Sequence, residues 1–266
     1  SEFDRDCNTY TPDGKILQLE YALKAVENAE YYPMAMQTIL GVKCSDGIIL
    51  GAEKLVFAKM LVEGTNRRIY NIDKKIGMVV GGGFLMEGTS FIMRADRLIN
   101  TRRSSILPSR VEEYIYIVKV GLAERLSLYL NSHTLYGSVR AFGSTEIVAA
   151  YDEFDGLSLF MIEPTGSFYG YTFAQQEGAA KLPNRNLRSE ISQDDVPRGF
   201  GVRRSHVIPC EFSLILTHEE TREKKFELEM SWLTKENNYK HEMVPRELRD
   251  AAEARATARI EEEQQN

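Results

Sequence analysis

The hydrophobic period of this chain changes twice, and the order of those changes restricts the fold more than any single motif. Short apolar runs come first. Residues 38–44 and 47–53 flank Ser45-Asp46-Gly47, and a further run at 76–82 ends in Gly81-Gly82-Gly83. An Asp-Gly pair between two such runs predicts a hairpin, because tight hairpin turns need residues that accept positive φ. Two long helical stretches follow, 84–105 and 110–135, separated by Pro108. The second sets Val111, Tyr114, Ile115, Val118, Leu122, Leu126 and Leu130 on one broad face, at helical spacing. Strand-like runs return at 144–151, 157–163 and 167–173, separated by Asp155-Gly156 and by Pro164-Thr165-Gly166, which reads as an antiparallel meander. Further runs lie at Phe212–Thr217 and Phe226–Trp232. In the latter, Phe226, Leu228, Met230 and Trp232 alternate with Glu227, Glu229 and Ser231, predicting a strand with one buried face.

Around this centre the ends read differently. Residues 1–14 are a polar segment closing on the turn Pro12-Asp13-Gly14. A helix is predicted over 15–29, with Ile16, Leu19, Leu23 and Val26 on one face. Pro33 then disfavours helix at the residue before it. Residues 174–210 hold Pro183, Pro197, Pro209, Gly199 and Gly201 among charged and amide residues, a composition of broken helices or a long loop. Pro245 opens a last helix rich in Ala, Arg and Glu. Strands, helices, strands, then strand and helix favour antiparallel sheets covered by helices, an α+β layered sandwich. Order alone leaves open which sheet each strand joins.

Composition narrows the function classes. The net charge of −6 has both signs mixed along 266 residues, so no basic footprint points to nucleic acid. No apolar run approaches the roughly 20 residues of a membrane span, and the polar start at Ser1–Asp6 is unlike a secretory signal. Cys7, Cys44 and Cys210 are scattered and odd in number, which fits free thiols in a reducing compartment, cytosol or nucleus. His133, His206, His218 and His241 have no ligand spacing, so neither a metal nor another cofactor is expected. The common nucleotide-binding, zinc-protease and serine-hydrolase motifs are missing. Gly81-Gly82-Gly83 lacks the lysine of a phosphate loop and reads as close backbone packing or a turn. Nearly all the carboxylates fall on patterns that read as solvated faces.

Three stretches carry a resemblance. Phe3-Asp4-Arg5, Tyr10-Thr11-Pro12-Asp13-Gly14-Lys15 and Gln18-Leu19-Glu20-Tyr21-Ala22 stand in the order of the signature of proteasome alpha subunits. Asp46-Gly47, Glu53-Lys54, Asn66-Arg67-Arg68 and Arg140-Ala141-Phe142-Gly143 continue it in register. The resemblance covers about 3–173 well and 212–260 fairly, while 174–210 match poorly. Residues 20–28, 53–56 and 226–232 look most like the type found at the seventh position of the eukaryotic ring. The resemblance implies a four-layer alpha-beta-beta-alpha sandwich of the N-terminal-nucleophile hydrolase type. It implies one domain over 15–266, preceded by a gate segment over 1–14.

It also implies a non-catalytic role. Active members of that fold use an N-terminal threonine whose free amine helps to activate its own hydroxyl. Here Gln37 stands at the nucleophile's place, with some 36 residues ahead of it. Glu53 and Arg68 fall where active members keep an acid and a lysine. Processing at Thr38 to give an active threonine hydrolase is the alternative. The implied roles are barrel assembly, gating and docking in ubiquitin-dependent degradation, in cytoplasm and nucleus. The implied partners are neighbouring alpha subunits, beta-ring subunits and a regulatory particle, an ATPase cap or another activator. Phe3, Asp4, Arg5, Tyr10, Pro12, Asp13, Gly14 and Tyr21 match the gate and its supporting cluster, with Phe3 in place of a tyrosine. Arg68 and Gly82 match the pocket that receives an activator's C-terminal tail, with Arg68 in place of a lysine. The opposing readings are a frayed terminus for 1–12 and an ordinary surface charge for Arg68.

Overall fold

A computed structural model describes residues 9–27, 38–44, 47–56, 60–62, 64–82, 111–137, 139–153, 155–176 and 226–265. The helix expected at 84–105, the strand at 212–217, the extension at Tyr31–Met36 and residues 177–210 of the poorly readable segment lie outside them.

The expected hairpin forms from β1 (Ile39–Lys43) and β2 (Gly47–Leu55), in register from Ile39 opposite Ala52 to Lys43 opposite Ile48. The second group of strands is β3 (Ile69–Asp73), β4 (Ile76–Gly82), β5 (Ser144–Asp152), β6 (Gly156–Ile162) and β7 (Phe168–Gly170). Then come β8 (Phe173–Gln176), β9 (Phe226–Thr234) and β10 (His241–Met243). These make two five-stranded sheets, ordered β10-β9-β2-β1-β8 and β3-β4-β5-β6-β7, with every pairing antiparallel. The helices are α1 (Leu17–Glu27), α2 (Val111–Leu135) and α3 (Arg246–Gln265).

Side-chain alternation builds the layers. Ile39, Ile48, Leu50 and Ala52 of the first sheet meet Val79, Ile147, Ala149, Leu159 and Met161 of the second, all buried. The intervening residues of the second sheet, Met78, Val80, Val148 and Ile162, pack on Leu122, Ala123, Leu126 and Leu130 of α2. On the outer face of the first sheet, Leu40, Ile49, Leu228 and Met230 meet Val244 and Leu248. The order is helix, sheet, sheet, helix. Each fully buried aliphatic side chain contributes about 1.5–3 kcal/mol against exposure. The three cores together therefore hold four layers that none could hold alone.

The structure departs from the sequence reading at several strands, the short β10 among those not expected. Strand β3 was not expected, because Arg67 and Arg68 mask its short apolar pattern. The run at 167–173 is not one strand: β7 completes the meander on β6, whereas β8 crosses to the other sheet and pairs with β1. Finally, β9 has two buried faces, since Leu228 and Met230 pack with Val244 and Leu248 while Leu233 packs against the second sheet. Glu229 is 8% exposed and Ser231 fully buried, so that face of the strand is not solvated.

Candidate functional site

Two neighbouring regions carry the residues singled out in the sequence. The first is the turn that leads into α1. Thr11 donates its N–H to the Lys15 carbonyl at 2.8 Å, and Gly14 donates to the Thr11 carbonyl at 2.8 Å. The Lys15 N–H is held by the Thr11 hydroxyl oxygen at 3.0 Å. Gly14 has φ +78°, a value that costs a residue with a Cβ but not glycine. Tyr10 and Ile16 form an isolated antiparallel bridge across the turn. Residues 9–16 are thus a closed loop directly before the helix. The helix buries Ala22, which packs with Leu19 and with Ala141 just before β5. Tyr10 and Tyr21 remain largely exposed. Pro12 and Asp13 are the exposed apex of the turn, and Phe3, Asp4 and Arg5 lie outside the described residues.

The second region lies at the same end of the sandwich, where β4 finishes and β5 begins. Arg68 is buried, 2% exposed, and its guanidinium Nη1 reaches the Gly82 carbonyl at 3.5 Å. The two residues expected to share a pocket therefore do meet, and Arg68 is not a surface charge. Gly82 has φ +117°, and a Cβ there would collide with the Gly143 carbonyl oxygen, so only glycine suits the position. Burial lowers the Arg68 pKa to about 10, against the opposing pull of Tyr70 and Glu229; the group stays charged at neutral pH.

The charge partner was missed in the sequence. The Glu229 carboxylate, from the buried face of β9, accepts the backbone N–H groups of Arg68 at 2.9 Å and Ile69 at 3.4 Å. Lys54 lies 3.2 Å from Glu229 and 3.1 Å from Glu227, with only 3% of its side chain exposed. Glu227 in turn accepts the Gly64 N–H at 3.0 Å. Lysine and carboxylates buried together tie β2, β9 and the start of β3 into one network, and a buried charge needs such partners. The available signal was Glu227 lying opposite Lys54 in the β2–β9 ladder, with Glu229 opposite Ala52 on the same face, which no single-strand pattern displays.

This arrangement has little of a peptidase in it. Thr38 immediately precedes β1, and its carbonyl accepts the Glu53 N–H at 2.9 Å. Its own nitrogen is an amide joined to Gln37, without the basicity a threonine nucleophile draws from a free amine. Among the described residues no group of acidic, histidine or cysteine side chains could hold a metal ion. No described helix is long and apolar enough to cross a membrane.

Two facing antiparallel sheets between helices, with an added helix at the end where a nucleophile would stand, define a member of the N-terminal-nucleophile sandwich class. Comparison with known proteins makes this specific. The "Proteasome subunit" family model matches residues 35–194, and the model of the N-terminal signature of A-type proteasome subunits matches residues 3–25. The proteasome alpha type-3 subunit of Dictyostelium discoideum is 36% identical over 267 residues, 98% of this chain and 97% of that protein. The proteasome alpha type-3 subunit of Spinacia oleracea is 36% identical over 260 residues, covering 98% and 96%. A probable proteasome alpha type-7 subunit of Schizosaccharomyces pombe is 36% identical over 250 residues, covering 93% and 89%. The chain belongs to the proteasome subunit family, within its alpha type, and is a structural, non-catalytic ring subunit that assembles with other proteasome subunits.

Proposed function

We propose that this subunit takes its place in the alpha ring, with residues 1–14 as a gate segment and residues 15–266 as one domain. The ring lies against a ring of beta subunits, and the particle works in ubiquitin-dependent degradation in the cytoplasm and nucleus. The observation that carries the gating role is the closed turn at residues 9–16. A frayed terminus would have no reason to be hydrogen-bonded at Thr11, Gly14 and Lys15. That turn fixes the chain immediately before α1, and Tyr10, Pro12, Asp13 and Tyr21 stand exposed there for neighbours to use. Phe3, Asp4 and Arg5 belong to the gate segment that precedes the turn in sequence. Deleting residues 1–12 in the assembled particle should raise basal hydrolysis of short fluorogenic peptides several-fold. Hydrolysis equal to the intact particle's would sink the gating role.

Docking of a regulatory particle, an ATPase cap or another activator, is the finer half of the reading. Arg68 and Gly82 form the base of a pocket for a tail carboxylate, and a guanidinium binds carboxylates well. Arg68 is, however, already engaged from within, by the Gly82 carbonyl and by the field of Glu229. The pocket is therefore a weak one. In particles carrying Arg68→Ala, activation by a tail peptide should fall by less than about threefold, which is well under 1 kcal/mol of binding. A tenfold or larger loss would show the pocket to be a principal one.

A further inference from the structure

The end of the sandwich remote from α1 is closed by contacts that cross from one sheet to the other. His241, on β10, donates its backbone N–H to the Lys74 carbonyl at 2.8 Å, in the β3–β4 turn. Tyr239, just before β10, stacks on Tyr151 of β5 with centroids 3.7 Å apart and 9° between the planes. Lys75 lies 5.0 Å from the centre of the Tyr151 ring and 3.2 Å from Glu153. The His241 ring fills the space over Gly77 of β4, where a Cβ would overlap it. His241 is 3% exposed; its Nε2 is 2.9 Å from the Ser231 hydroxyl oxygen. Its Nδ1 is buried without a hydrogen-bond partner.

These surroundings select one form of the ring. With its proton on Nε2, a neutral imidazole donates to Ser231 and leaves only a lone pair at Nδ1. A second proton would place a charge in the core and create an N–H with nothing to receive it. The charged groups nearby do little to offset this. Lys240 is exposed and pairs with Glu242 at 2.6 Å, Lys75 is directed to Glu153, and Lys74 contributes its main chain. Asp73 is half-buried at the end of β3, Tyr151 and Tyr239 stack on each other, and β9 presents the Ser231 hydroxyl. Glu242 pulls toward protonation, but burial outweighs it and lowers the His241 pKa to about 4.

We propose that His241 is an acid-released clasp between the two sheets, holding this end of the sandwich shut while neutral. Its protonation opens β10 and the β3–β4 turn before the rest of the core yields. Both β10 and β3 are edge strands, so opening there breaks few ladder bonds. A neutral buried histidine gives a definite pH window. Free histidine titrates near 6.5, so the unfolded or opened chain takes up protons first as pH falls. The clasp holds in full above about pH 6.5 and weakens down to about pH 4.

The test is a pH titration of the full-length chain, with the histidine ring nitrogens followed by NMR and amide protection by hydrogen exchange. The expected result is a His241 ring carrying its proton on Nε2 and titrating near pH 4 to 5. Amides of residues 73–77 and 241–243 should lose protection at higher pH than those of β5. A ring that titrates near 6.5, carries its proton on Nδ1, or opens together with β5 would overturn the proposal. In His241→Gln, which keeps a donor for Ser231 but cannot take a second proton, opening should shift to lower pH. An unchanged opening pH in that folded variant would also overturn it; if the variant does not fold, the wild-type titration decides.

Discussion

Glu229 shows how one side chain can be both a charge and a structural tie. It holds Lys54 and two backbone N–H groups, whereas Glu227 shares Lys54 and holds one N–H near the surface. Removing the partner of a buried charge costs about 3–5 kcal/mol, and a single lost hydrogen bond about 1 kcal/mol. Glu229→Ala should therefore cost about 3 kcal/mol in urea denaturation, since Lys54 keeps Glu227, and Glu227→Ala about 1–2 kcal/mol. The reverse order would mean that the network does not rest on Glu229. Single-residue patterning could not have found this. Alternation in 226–232 was legible, but it gives the same period to a strand wet on one face and to one buried on both. Gly82 was legible as a point of close backbone packing, but not what it packs against. Its φ of +117° and the carbonyl beside it belong to the fold.

At the scale of elements, α2 is held to its sheet by more than its apolar face. Ser127 donates to the Gly166 carbonyl, and Asn131 donates to the Thr165 carbonyl at 3.1 Å. A Cβ on Gly166 would run into Asn131 and the Ser127 carbonyl, so the β6–β7 turn sits directly against the helix. Ser127→Ala and Asn131→Ala should each cost about 1 kcal/mol. Amides of residues 165–167 should lose exchange protection in both, while those of β4 keep theirs. The β1–β2 hairpin, β4, the meander through β7, α2 and the last helix were all legible, because each is set by local turn chemistry and period. Strands β3, β8 and β10 were not. They are short, at three to five residues, and are defined by what they pair with.

At the scale of the molecule, a sandwich of the N-terminal-nucleophile class serves as a structural ring subunit. Assembled particles treated with a threonine-directed electrophile should carry the label on other subunits and none on this one, as read by intact-mass spectrometry. Adduct on Thr38 would revive the hydrolase reading. The inertness has a plain chemical origin, since an acylated main-chain nitrogen is no base.

The sequence by itself determined the α+β class, the turn before α1, the family, and the lack of a nucleophile, because these depend on neighbours along the chain. Tertiary structure alone decided which sheet each edge strand joined, that Arg68 is buried against Gly82, and that Glu229, Lys54 and His241 are core residues. The reason is that burial of a polar group depends on partners tens to hundreds of residues away. Arg68 and Glu229 meet across a separation of 161 positions, and no local pattern records that meeting.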